Sequence, residues 1–237
     1  MAGLTVVTGG GRGIGAAIVR RLSADGQQVV FSYRADTAAA QALAADTGAI
    51  AVRAEAGDPD DVDRLFDTAA ELGGITGAVA NAGTTSPVGT LAELDVRDLR
   101  RVVDVNVVGA LLCARRAARD LREGGALVAI SSAAATLGSP GEYVHYAASK
   151  AAVDAMVVGL AKELGPRGVR VNAVAAGTVR TDIHRVSGVP DRPDRVAAAI
   201  PLGRPGEPEE IAAAVAWLLS PEASFTTGAV LRSAGGL

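Results

Sequence analysis

Short, nearly unbroken apolar runs alternate with stretches of helical period along the whole chain. The runs fall at Leu4–Thr8, Val29–Tyr33, Ala49–Arg53, Gly77–Ala80, Ala126–Ser131, Val169–Val174 and Ala229–Arg232. Strands that lack an in/out alternation are covered on both faces, as in parallel sheets. The helical stretches lie near Gly13–Ala24, Thr37–Asp46, Asp60–Glu71, Val96–Arg122, Tyr146–Leu164 and Pro208–Leu219. Such alternation builds βαβ units, so the pattern predicts an α/β chain with one doubly wound parallel sheet of about seven strands. Right-handed crossovers then bring the carboxyl ends of the strands to one edge, where ligands bind. Between Arg180 and Pro205 the pattern breaks: Pro190, Pro193, Pro201 and Pro205 surround a short helical piece near Arg195–Ile200. A loop of that length in a compact domain is more often a functional lid than filler. The expectation is a single domain over residues 1–237, with a substrate lid at about 182–200.

Composition narrows the classes. The chain has 237 residues, 49% hydrophobic, and a net charge of -3. A core of that size needs no disulfide or metal staple. The single Cys113 excludes a disulfide scaffold, and His145 and His184 with one cysteine are too few for the usual His/Cys metal cages. No apolar run is long enough to span a bilayer, and Met1–Thr8 lacks the form of a signal peptide, so a cytoplasmic location is expected. Mild acidity argues against nucleic acid, and the Arg115, Arg116, Arg119, Arg122 stripe reads as a solvated face or intersubunit ion pairs. Lys150 and Lys162 are the only lysines among 23 basic residues.

The first strand runs into Thr8-Gly9-Gly10-Gly11-Arg12-Gly13-Ile14-Gly15-Ala16. A glycine cluster alone can be an ordinary strand-to-helix turn. Here it follows the first strand and opens a helix, which is the context for cradling a dinucleotide pyrophosphate on backbone N–H groups. No Lys-Ser/Thr follows the last glycine, so it is not a Walker loop. At the end of the second strand, an NAD site usually carries an acid for the ribose 2′-hydroxyl. This chain reads Phe31-Ser32-Tyr33-Arg34, with no acid before Asp36. Arg34, joined by Arg12, suits a 2′-phosphate through guanidinium forks, which favours NADP(H) over NAD(H).

Tyr146 and Lys150 are four apart and share one face of a helix. A lysine near a phenol lowers the phenol pKa by Coulomb attraction, by up to ~3 units before desolvation opposes it. A compact ammonium can meet a phenolate and ribose hydroxyls where a planar guanidinium cannot. Ser131-Ser132 ends the fifth strand, Asn81-Ala82-Gly83 follows the fourth, and Asn106 lies in the helix between them. Strand alternation lets only one of the two serines point at a substrate.

The ordered set Thr8-Gly9-x-x-x-Gly13-x-Gly15, Asn81-Ala82-Gly83, Asn106, Ser132, Tyr146-x-x-x-Lys150 and Asn172…Gly177-Thr178-x-x-Thr181 resembles the short-chain dehydrogenase/reductase family. The resemblance extends over essentially the whole chain, through Gly235-Gly236, and is greatest to members like 3-oxoacyl-(acyl carrier protein) reductase and glucose dehydrogenase. It implies a Rossmann fold and NADP(H)-dependent reduction of a ketone or aldehyde, or the reverse oxidation of an alcohol or sugar. Tyr146 would be the general acid, Lys150 would tune it and hold the nicotinamide ribose, and Ser132 would bind the substrate oxygen. Asn106 would position a water for proton supply. The implied cofactor residues are Gly9, Arg12, Gly13, Ile14, Gly15, Arg34, Asn81, Gly83, Tyr146, Lys150, Gly177, Val179 and Thr181, with Thr178 beside them. Tyr143, with no lysine four residues on, would line the substrate pocket with Ser132. The choice of Ser132 rests on aligning the extra residue before Tyr146 after Thr136-Leu137-Gly138.

There are departures from the family pattern. Ala80 replaces a first Asn, Glu55 an Asp near the adenine, Ala176 a Pro, and Ala234 an Asp. They put the loop at Ala176 and the C-terminal contacts in question. Docking of an acyl carrier protein stays open: Arg167 fits one receiving position, while Glu123 occupies the other beside Arg122. The helices around Asn106–Arg119 and Ala151–Leu164 would pair across two-folds into a homotetramer, or a homodimer. A non-catalytic NADPH-binding sensor is the alternative from another class.

Overall fold

The computed structural model describes residues 3–237. Seven strands form one sheet: β1 (Leu4–Val7), β2 (Gln28–Tyr33), β3 (Ile50–Arg53), β4 (Gly77–Ala80), β5 (Ala126–Ser132), β6 (Arg170–Ala176) and β7 (Val230–Ser233). Their order is β3-β2-β1-β4-β5-β6-β7, and every pairing is parallel. The chain leaves β1 toward one edge for β2 and β3, then returns to β4 on the other side. That reversal opens the crevice at the carboxyl ends of β1 and β4.

The helices are α1 (Gly13–Ala24), α2 (Thr37–Thr47), α3 (Pro59–Leu72), α4 (Val96–Val103), α5 (Gly109–Asp120), α6 (Ala134–Leu137), α7 (Val144–Leu164), α8 (Ile183–Val186), α9 (Arg192–Val196) and α10 (Pro208–Leu219). Alternate strand residues feed two cores. On one face Val6, Val30, Ala78, Leu127 and Val171 pack under α3, α5 and α7. On the other, Val7, Phe31, Val79, Val128 and Val174 pack under α1, α2 and α10. Burial on both faces is why the strands read as unbroken apolar runs.

The expected architecture stands, with shifts of one or two residues at element ends. Three differences go deeper. The predicted helix Val96–Arg122 ends at Asp120 and is interrupted by a π-turn over Asp104–Val108, where the Gly109 N–H donates to the Asp104 carbonyl five residues back. Helical periodicity tolerates one extra residue, so the pattern did not mark it. The helix predicted from Tyr146 begins at Val144. The 182–200 stretch holds two short helices, α8 and α9, both starting earlier than Arg195–Ile200, and only a 3₁₀ turn follows at Ala197–Ala199.

Candidate active site

The glycine turn is fixed from three sides. The Gly9 N–H donates to Ser32 Oγ at 2.9 Å, and the Gly10 N–H to the Ser32 carbonyl at 2.8 Å. Asn81 Nδ2 donates to the Thr8 and Gly9 carbonyls, both at 2.9 Å. Thr8 Oγ1 accepts from the Asn81 and Ala82 N–H groups at 3.0 and 3.1 Å. At Gly15 a Cβ would stand 2.2 Å from the Gly9 carbonyl oxygen, so only glycine lets the first turn of α1 sit against the loop. Gly9 lies at φ 65°, and a Cβ there would press on Ala82 Cα at 2.9 Å. At these glycines the turn therefore presents bare backbone and the N-terminus of α1 to the cleft.

That cleft has a volume of about 710 Å³ and runs along the carboxyl edge of the sheet. Arg12 and Arg34 line one end. Arg34 Nε is 3.8 Å from Glu55 Oε2, and both side chains are largely exposed. Asp36, the first acid after β2, accepts from the Ala39 N–H at 2.9 Å as the N-cap of α2. Gly13, Ile14, Gly83, Gly177, Thr178, Val179 and Thr181 also line the walls. Ala176 continues β6 in register with Ser132 and Ser233, and a Cβ at Gly177 would come 2.7 Å from Ala234 Cα. The loop thus closes without the proline and aspartate that the resemblance led one to expect.

Ser132, Tyr143, Tyr146 and Lys150 gather at the other end. β5 delivers Ser132 to the cleft, where its hydroxyl faces the Tyr146 phenol and lowers its pKa; Ser131 is buried, donating to the Lys150 carbonyl at 3.3 Å. The Tyr143 and Tyr146 rings meet edge to face with centroids 5.6 Å apart. Lys150 is 4% exposed; its Nζ lies 5.9 Å from the Tyr146 ring centroid and donates to the Ile130 carbonyl at 2.7 Å. Burial pulls Lys150 down to about 8, against the opposing field of Asp154. The sequence led us to expect a lowered Tyr146 pKa. Burial instead raises it, because desolvation of the phenolate outweighs the help from Ser132. Tyr146 is a protonated phenol at neutral pH.

Asn106 sits in the π-turn, fully behind the cleft wall. Its Oδ1 accepts from the Thr84 N–H at 2.8 Å, and its Nδ2 donates to the Thr84 carbonyl at 2.9 Å and to Ser149 Oγ at 3.0 Å. The Asn106 side chain thereby ties the loop after β4 to α7.

Several contacts at the site carry no sequence signal. Ser32 looks like an ordinary strand residue until the turn folds over it. In the 182–200 stretch Arg192 pairs with Glu142 Oε1 at 2.5 Å and lies 5.2 Å above the Tyr143 ring. The Ser187 carbonyl accepts from the Val88 N–H. Asp182 to Ser187 and Arg192 line the cleft mouth. Tyr143, half-buried beside this segment, has its pKa pushed up to about 12 by desolvation. Arg167, weighed as a carrier contact, turns its guanidinium onto the Ala118 and Leu121 carbonyls at the end of α5. Among the described residues there is no cluster of His, Cys, Asp and Glu that could hold a metal, and no helix is long and apolar enough to cross a membrane.

Residues 9–237 match a family model described as enoyl-(acyl carrier protein) reductase. The chain is 39% identical to the oxidoreductase YgfF of Escherichia coli K12, over 98% of this chain and 99% of that one. It is 41% identical to a cyclic-di-GMP-binding biofilm dispersal mediator protein of the same organism, over 95% and 92%. A short chain dehydrogenase from Burkholderia cenocepacia J2315, solved in complex with NADP, superposes with a TM-score of 0.92 at 37% identity, covering 98% of this chain and 96% of that one.

Proposed function

The chain belongs to the short-chain dehydrogenase/reductase family, and from that premise we propose that it is an NADPH-dependent carbonyl reductase acting on a ketone or aldehyde, 3-oxoacyl compounds among them. The observation that carries this reading is the convergence of Ser132, Tyr146 and Lys150 at one end of a cleft whose other end is the glycine turn.

The residues fit the cofactor. The side-chain-free turn at Gly9, Gly13 and Gly15 leaves room for a pyrophosphate against the N-terminus of α1. Arg12 and Arg34 suit a 2′-phosphate; Asp36 is engaged as the N-cap of α2 and Glu55 lies beside Arg34. Bound there, NADPH supplies the hydride. The chain supplies the rest. Ser132 Oγ and the Tyr146 hydroxyl hold the carbonyl oxygen, and Tyr146 gives it a proton as negative charge develops. Lys150 holds a ribose hydroxyl and offsets the charge left on the phenolate. Asn106 keeps the loop at Thr84 and the start of α7 in register behind them. The 182–200 segment acts as the lid, with the Arg192–Glu142 pair and Tyr143 shaping the pocket it covers.

The likeness to a cyclic-di-GMP-binding protein supports a second reading, a nucleotide-binding sensor that turns nothing over. One experiment separates them: oxidation of NADPH against a panel of ketones, aldehydes and 3-oxoacyl thioesters, free and carrier-linked. The enzyme should turn over part of the panel, and Tyr146→Phe should lower that rate by about 10²–10⁴-fold while still binding NADPH. No turnover on any member would favour the sensor, and turnover with NADH alone would overturn the roles of Arg12 and Arg34.

A further inference from the structure

α7 carries a third ionisable residue in step with the first two. Tyr146, Lys150 and Asp154 follow one another at four-residue spacing, so they rise along one face of the helix. Lys150 is an almost fully buried cation, and a buried charge without a counter-charge is costly. The hydrogen bond its ammonium makes is to a neutral carbonyl, that of Ile130. Asp154 is half-buried, and its Oδ1 is a buried oxygen with no hydrogen-bond partner. Burial raises the pKa of this carboxyl, so its charged form gains from a cation close by.

We infer that Asp154 is the charge partner of Lys150 across one helical turn, a positioning residue that keeps the ammonium charged without touching it, while the Ile130 carbonyl holds it in place. This rests on the reductase reading for its purpose, because a neutral lysine neither grips a ribose hydroxyl as a cation nor stabilises a phenolate on Tyr146. The groups facing the pair come from three elements. Tyr146 stands on α7 itself. Ser131 of β5 faces Asp154 and donates to the Lys150 carbonyl. Arg232 of β7 also faces Asp154, but it is exposed and holds the Thr136 hydroxyl and the Leu237 carbonyl. Of the two cations near the carboxylate, the desolvated one feels its field more strongly. Burial lowers Lys150 and raises Asp154, and each opposes the other's shift, with Ser131 and Arg232 also lowering Asp154.

The two-lysine composition makes the test direct. In protein labelled with ¹³C at lysine Cε, NMR should show one signal from buried Lys150 and one from exposed Lys162, with Lys162→Arg assigning them. Lys150 should titrate near 8 in the native chain. Asp154→Asn should move it down by about one unit or more, and Asp154→Glu should leave it near the native value. The alkaline limb of kcat/KM should follow in the same order. Asp154→Ser carries the same expectation as the amide and serves where the amide does not fold. An unmoved Lys150 titration in either folded variant overturns the inference. The titration does not depend on turnover, so a shifted Lys150 in a protein that reduces no carbonyl would count against the reductase reading instead.

Discussion

Lys150 holds a proton less tightly in the folded chain than in the unfolded one: burial brings it from 10.5 to about 8. Between those values the unfolded chain binds more protons, so stability should rise with pH across that window, and the cost of the buried charge is fully present below it. At about 1.4 kcal/mol per unit the rise amounts to about 3 kcal/mol. Thermal melts at pH 7.5 and 9.5 should show a native midpoint that climbs and a Lys150→Met midpoint that does not; a native midpoint that falls would refute this cost. The placement of Lys150 opposite Tyr146 was legible from spacing alone. The direction of the Tyr146 shift was not, since the Coulomb attraction between them can be read from a sequence and the desolvation opposing it cannot. Asp154 went unnoticed for the same reason. Four residues after Lys150 it looks like any polar helix position, until β5 and β7 close over it.

Among the elements, the glycine turn was readable because its chemistry is local: the strand, the turn and the helix start are contiguous in the chain. The short helix α6 and the bounds of α7 were not, because Ser139 at φ 46° and Gly138 at φ 78° redirect the chain in a way that periodicity does not encode. The π-turn was hidden by the apolar character of its surroundings, although Asn106, the residue it presents, was singled out. The turn packs tightly on the loop after β3, where a Cβ at Gly109 would come 2.9 Å from the Ala56 carbonyl. The 182–200 segment stood out by its prolines, but the ion pair that holds it joins residues fifty positions apart, and no linear pattern relates Glu142 to Arg192.

For the molecule as a whole, the doubly wound parallel sheet followed from the alternation of strand and helix, whereas the strand order and what covers the outside did not. The outer faces of α5 and α7 bear a groove of about 330 Å³ lined by Leu111, Met156 and Leu160, flanked by Arg115 and Glu163, and Leu111 is 49% exposed. Apolar surface of this kind on paired helices suits a two-fold contact in which Arg115 of one copy meets Glu163 of another. Sedimentation velocity should find a homotetramer of the 23.7 kDa chain, and Leu111→Glu should shift it to smaller species. A native chain that stays monomeric at micromolar concentration would contradict this.

A π-turn is what a helix makes of an insertion it has absorbed: one residue is looped into the hydrogen-bond ladder while both flanks keep their faces. Helices α4 and α5 thus carry a residue between them that their own packing does not need. A chain lacking Val105 should regain the regular ladder and keep Val102 and Cys113 in the core. It should melt higher and turn over more slowly, because Thr84 and Ser149 would lose the side chain that joins them. The extra residue is a stretch of stability exchanged for the placement of one amide.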